Sequence, residues 1–187
     1  MKKVILVHGW DGSMESFWFP RLVGELKKKQ YEVLAFDMKD PETPIIDEWV
    51  SQLREEAGEI DENTIFVGHS IGCQTIVRFL AGQDQKFAGV VFVAGWFDLV
   101  GLENGEVGEI AKPWIVTPID FGKLKEVVGK TIVFLSDNDK FVPLEITKKK
   151  FEENLGAQVT VIPNAGHITS EEGFGPVPFV LEAIENL

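Results

Sequence analysis

Short apolar runs and longer amphipathic stretches alternate along this chain from one end to the other. The runs Lys3–Val7, Glu32–Phe36, Thr64–Val67, Gly89–Ala94, Thr131–Ser136 and Gln158–Ile162 read as strands. Several are apolar at consecutive positions (VILV, VVFV, IVFL). That pattern suits strands buried on both faces of a parallel sheet, because a sheet with one wet face would alternate. Between them, Ile46, Trp49, Val50, Leu53 and Ala57 recur at helical spacing, with Gly58 where a C-terminal cap belongs. Leu22, Val23 and Leu26 form a second stripe that starts at Pro20 and ends in Lys27, Lys28 and Lys29. A proline in the first turn and cations in the last both suit a helix. Cys73 to Ala81 reads as a helix directly after the third strand. Phe179, Val180, Ala183, Ile184 and Leu187 make a final one.

Strand–helix alternation of this kind implies an α/β fold: a doubly wound, mostly parallel sheet of about six strands with helices on both faces. No repeat, low-complexity tract or linker interrupts it, so residues 1–187 are expected to form one domain. The stretch Gly95 to Phe121 breaks the rhythm. It is rich in Gly, Pro and aromatics, has no evident period, and is expected to be a long functional loop.

Composition narrows the function. With 18 Lys+Arg against 30 Asp+Glu, the net charge of −12 argues against broad contact with nucleic acid. The runs Lys27–Lys29 and Lys148–Lys150 are short and read as solvated helix faces. One cysteine, Cys73, excludes an internal disulfide and a Cys-based zinc site. The opening MKKVILVHGW is too short in apolar residues for a signal peptide or a membrane span, so no membrane association and a cytoplasmic location are expected.

The chemistry starts at Gly68-His69-Ser70-Ile71-Gly72, a G-x-S-x-G motif between a strand and a helix. In that setting the serine sits in a strained turn with its hydroxyl projecting from the sheet edge. A side chain on either glycine would collide with neighbouring backbone. A serine hydroxyl needs a base, and the base needs an orienting acid. Ser136-Asp137-Asn138-Asp139-Lys140-Phe141-Val142-Pro143 follows the fifth strand and Asn164-Ala165-Gly166-His167 follows the sixth, both on the serine's edge of the sheet. His167 is the expected base. Asp139 is the preferred acid, with Asp137 competing, although Asp137 also reads as an ordinary turn residue. His8 is expected to support the loop after the first strand, and His69 to point away from the side of Ser70. The three histidines are therefore not read as a metal site. The backbone N–H groups of Trp10 and Ile71 are the expected oxyanion donors.

These motifs together (VHGW, VGHSIG, SDNDKFVP and NAGH) resemble the α/β-hydrolase superfamily over almost the whole chain. The small size, Trp18-Phe19-Pro20 and Pro118-Ile119-Asp120-Phe121 look like the retinoblastoma-binding-protein-9-like group of small serine hydrolases. The resemblance implies a minimal hydrolase fold without a large cap, and Ser70, Asp139 and His167 as catalytic triad. It also implies hydrolysis of a carboxylic ester or related small acyl compound, with no cofactor and no metal. Thioesterase, amidase and lactonase activities stay open. The alternative is a catalytically silent hydrolase fold used as a protein-binding module, although nothing in the sequence indicates a protein partner.

Trp96, Phe97, Trp114 and Phe141 are candidates for the mouth of the site. Asp98, Glu103, Glu106 and Glu109 share the Gly95–Phe121 segment and are expected to disfavour anionic substrates through their local field.

Overall fold

The structure, a computed structural model, describes residues 1–101, 105–173 and 175–187. Six parallel strands form one open sheet: β1 (Lys3–Val7), β2 (Glu32–Ala35), β3 (Thr64–His69), β4 (Phe87–Val93), β5 (Val128–Ser136) and β6 (Gln158–Ile162). Their spatial order is β2-β1-β3-β4-β5-β6. The registers Leu6 to Val67 and Val67 to Val91 align the central strands, so β1, β3 and β4 end close together. Strand order reverses between β1 and β3. In open α/β sheets the crevice at such a switch point, beyond the carboxyl ends of the strands, is where ligands bind.

Seven α-helices occur among the described residues: α1 (Phe19–Lys28), α2 (Ile46–Ala57), α3 (Ile71–Ala81), α4 (Glu106–Val116), α5 (Phe121–Val127), α6 (Leu144–Leu155) and α7 (Val177–Glu185). Alternate strand residues feed two cores, one on each face. Ile5, Phe66, Phe92 and Val133 pack towards α2, α3, α5 and α6 with Trp49, Ile76, Leu124 and Phe151. Leu6, Val67, Val91 and Phe134 pack towards α1 and α7 with Phe19, Leu22, Val180 and Ile184. This explains the consecutive apolar runs, since every position in the central strands faces one core or the other. The chain is thus an α/β fold with helices on both faces, as its periodicity predicts.

The cap signals act where they were read. Gly58 closes α2 at φ +59°, and Pro20 lies in the first turn of α1. The lysine runs are solvated and paired. Lys28 meets Glu25 at 2.8 Å, and Lys29 meets Glu185 at 2.6 Å.

The 95–121 stretch departs from expectation, because it contains α4. Val107, Ile110, Ala111, Trp114 and Ile115 do recur at helical spacing. Gly108 and Pro113 hide the pattern, since both are poor interior helix residues. Pro113 lies in the last turn of α4, so its missing N–H removes one late backbone bond and leaves the earlier turns intact. Arg78 from α3 closes that end by donating to the carbonyls of Trp114 (2.9 Å) and Thr117 (3.0 Å). Among the described residues no helix is long and apolar enough to cross a membrane.

Candidate active site

Ser70 stands between β3 and α3 at φ +53°, ψ −122°. A non-glycine residue in so sparsely populated a region costs about 1–3 kcal/mol and persists only where its surroundings hold it. Two backbone bonds do so: the Ser70 N–H donates to the Val93 carbonyl at 2.9 Å, and the Cys73 N–H donates to the Ser70 carbonyl at 3.1 Å. Close backbone approach does the rest. A Cβ on Gly68 would lie 2.8 Å from the Cys73 nitrogen, and one on Gly72 would fall on the carbonyl oxygens of Val7 and His8. The two glycines therefore let the start of α3 sit against β3 and β1, which forces the turn.

The Ser70 hydroxyl faces His167. Its Oγ is 2.9 Å from Nε2, and the His167 Nδ1 is 2.7 Å from Asp139 Oδ2. A carboxylate only accepts, so Nδ1 carries the proton and Nε2 is left to accept from the serine. Asp139 is itself fixed, because its Oδ1 accepts from the N–H groups of Phe141 (2.9 Å) and Val142 (3.2 Å). Its side chain is only 2% exposed. Asp137 is used differently. Its Oδ1 accepts from the Asn164 N–H at 2.7 Å and braces the loop that bears His167. The structure thus brings Ser70, His167 and Asp139 into one hydrogen-bonded line and leaves Asp137 outside it.

Of the two expected oxyanion donors, Ile71 follows the serine directly and Trp10 lines the same cavity as Ser70. Ile71 is the first residue of α3, so its N–H has no acceptor within its own helix and lies at the positive end of the dipole. Gly9, just before Trp10, comes so close that a Cβ there would lie 3.2 Å from the Ser70 Cβ. His8 secures this loop from beneath. It donates from Nδ1 to the Gly9 carbonyl at 2.7 Å and accepts the Met38 N–H on Nε2 at 2.8 Å.

His69 has a role that the sequence did not disclose. Rather than pointing wholly away, its ring packs 5.1 Å from that of His167 and borders the cavity. Its Nε2–H donates to the His167 carbonyl at 3.0 Å. On the other side of the same residue, the His167 N–H donates to the Glu172 carboxylate. The backbone of His167 is therefore gripped at both polar groups. Glu172 is a further participant that no motif marked, five residues beyond in a short 3₁₀ turn.

Burial, helped by the neighbouring His167, lowers the His69 pKa to about 3, and burial also lowers that of His8. Both histidines are therefore neutral in the fold but take up protons below about pH 6.5 when unfolded. The stability this allows is complete above that pH and falls as the pH drops below it, for His69 until about pH 3. Between pH 7 and pH 5, His69 alone should cost about 2 kcal/mol, read as a lower urea midpoint. Equal midpoints at the two pH values would contradict this titration scheme.

Beside Ser70 lies a cavity of ≈ 290 Å³. Trp10, Phe17, Trp96, Leu99, Val107 and Phe141 supply its apolar wall. Of the four candidates for the mouth, Trp96 and Phe141 line this cavity. Phe97 and Trp114 do not. Phe97 is buried against Phe151 and Phe121, at ring separations of 4.6 and 5.4 Å. Trp114 is buried beside Trp49 and donates its indole N–H to the Pro44 carbonyl at 3.0 Å. Both rings are buried among apolar partners in the helical layer, where their surface is removed from water.

Phe17, Leu99 and Val107 take their places, of which only Phe17 carried an aromatic signal. Of the acidic residues of this segment, Asp98, Glu106 and Glu109 do not line the cavity. Asp98 is paired with Lys150 at 2.5 Å, Glu109 borders a groove beside Pro44 and Trp114, and Glu106 is exposed. Glu103 lies outside the described residues. Burial pushes the thiol of Cys73 up, so it packs as a small apolar group.

The fold and the strained serine turn place the chain among the α/β hydrolases. The sequence profile of the family described as Serine hydrolase matches residues 4–186, and the chain belongs to that family. It is an enzyme, a serine hydrolase. It is 25% identical to YdeN of Bacillus subtilis (strain 168) over 185 residues, 98% of this chain and 94% of that protein. It is 27% identical to the serine hydrolase RBBP9 of Rattus norvegicus over 169 residues, 90% of this chain and 82% of the relative. The crystal structure of the B. subtilis ydeN gene product superposes with a TM-score of 0.90 at 25% identity, covering 100% of this chain and 98% of that one.

Proposed function

We propose that the enzyme cleaves a neutral carboxylic ester, or a related small acyl compound, through an acyl-enzyme formed on Ser70. The observation that carries this reading is the line of hydrogen bonds from Ser70 Oγ to His167 Nε2 and from His167 Nδ1 to Asp139. As Oγ bonds to the acyl carbon, its proton passes to Nε2, and the carbonyl electron pair moves onto oxygen. The N–H groups of Ile71 and Trp10 receive that charge, an arrangement in which each donor is typically worth about 10²–10³ in rate. His167 then gives its proton to the departing alcohol. Water repeats the sequence on the acyl-enzyme, and Ser70 recovers its proton from Nε2. Throughout, Asp139 holds the imidazole in the tautomer whose Nε2 faces the serine and stabilises the imidazolium that forms.

The cavity argues for the substrate class. Its volume is at the lower end of the range for ligand sites, about 300–1,000 Å³. Among the described residues no Lys, Arg, Asp or Glu lines it. A short neutral acyl group fits such a wall, whereas a buried carboxylate would go unpaired. On a series of 4-nitrophenyl esters, kcat/KM is expected to fall at least about tenfold from butyryl to dodecanoyl. Preference for the long chain would refute the substrate class, and failure to turn over any ester, thioester or amide would refute the proposed function.

A further inference from the structure

The indole of Trp96 is 2% exposed, yet it forms part of the cavity wall and its Nε1–H meets Ser70 Oγ at 3.4 Å. An indole nitrogen can only donate, and a buried N–H without an acceptor is costly. Among the described residues, the acceptor of this one is the serine oxygen itself. That oxygen has one hydrogen and two lone pairs. The hydrogen is directed at His167, so one lone pair takes the indole N–H and the other stays free for an acyl carbon.

The indole is fixed from behind. Gln74, one turn along α3 from Ser70, donates Nε2–H to the Trp96 carbonyl at 2.8 Å and is 1% exposed. Its Oε1 finds no donor among the described residues, so the bond to Trp96 is the one that the buried amide makes. The chain enters this segment through Ala94, at φ +49°, whose N–H donates to Phe134. The helix that presents the serine thereby also sets the position of the donor that touches it.

We propose that Trp96 is a further catalytic residue, whose indole N–H stabilises the Ser70 oxygen as it leaves the acyl carbon during deacylation. This rests on the acyl-enzyme reading above. In that half-reaction His167 Nε2 takes a proton from water, and the water oxygen bonds to the acyl carbon. The intermediate collapses when the bond from carbon to Oγ breaks. Its electron pair goes to Oγ, and the proton on Nε2 follows. A hydrogen bond to an oxygen that is becoming anionic is about twice as strong as one to a neutral hydroxyl. During acylation the same N–H has opposed effects, because it occupies a lone pair of the attacking hydroxyl while stabilising the charge that builds on it. Its net benefit therefore falls on deacylation.

The test is pre-steady-state turnover of 4-nitrophenyl acetate by Trp96→Phe and by a variant carrying β-(3-benzothienyl)alanine at position 96. The latter keeps the indole shape and replaces N–H with sulfur. Both are expected to lose about tenfold in the deacylation rate while the burst rate changes less than about threefold. The burst amplitude should rise towards one per enzyme. The rate of labelling by a fluorophosphonate, which reports the first step alone, should also stay within about threefold of the unaltered enzyme. Unchanged deacylation in the benzothienyl variant, or equal losses in both steps, would overturn the role of Trp96. A failure of the unaltered enzyme to label or burst would instead overturn the acyl-enzyme reading beneath it.

Discussion

Ser70→Ala is expected to lower kcat/KM by at least about 10³-fold while leaving a folded protein. The size follows from the unit that the serine belongs to. Without Oγ, the imidazole of His167 has nothing to deprotonate on the acyl path, and only donors such as the Ile71 N–H remain to polarise a bound carbonyl. The fold should survive because alanine keeps the Cβ and the same backbone, which is held through the Val93 and Cys73 contacts rather than through the side chain. What is lost are the contacts of Oγ with His167 and Trp96, at 2.9 and 3.4 Å. That is a cost of about 1–2 kcal/mol against a typical stability of 5–15 kcal/mol. Urea unfolding and ester hydrolysis on the same preparation separate the two effects. An alanine variant with full esterase activity would remove Ser70 from the chemistry.

Asp139→Asn should be nearly as damaging, at about 10³–10⁴-fold, and for a reason that can be traced atom by atom. Oδ1 accepts from the Phe141 and Val142 N–H groups, so the asparagine must keep its carbonyl oxygen there. Its NH₂ then faces His167 Nδ1, which has to become an acceptor. The ring proton moves to Nε2 and points at Ser70, leaving no base where one is needed. Asp137→Asn preserves the acceptor for the Asn164 N–H and should cost less than about tenfold. Measuring kcat/KM for this pair distinguishes the two aspartates of the same loop. Similar losses in both would contradict the assignment of Asp139.

The two aspartates also show what a sequence can and cannot disclose here. The six strands, the serine turn and the two loops near residues 137 and 167 were legible because each rests on local constraints, whereas the spatial order of the strands was not. Consecutive apolar residues mean burial on both faces, and glycines two positions either side of a serine mean close backbone approach. The helix at 106–116 was less legible because Gly108 and Pro113 interrupt the propensity that its apolar spacing supports. Phe97 and Trp114 were misplaced for a different reason. Apolar character says that a ring is buried but not against which layer, and their partners Phe151 and Trp49 are distant in sequence. The grip of His69 and Glu172 on the backbone of His167 leaves no periodic or motif signal at all, since it depends on a carbonyl and an N–H rather than on residue type.

The most direct test of the central claim is to treat the enzyme with a fluorophosphonate and locate the adduct by peptide mass spectrometry. One phosphonyl group per chain is expected, on Ser70, with loss of esterase activity in proportion to labelling and no adduct on Ser70→Ala. Stoichiometric modification of a different residue, or ester turnover that persists after Ser70 is fully modified, would contradict it.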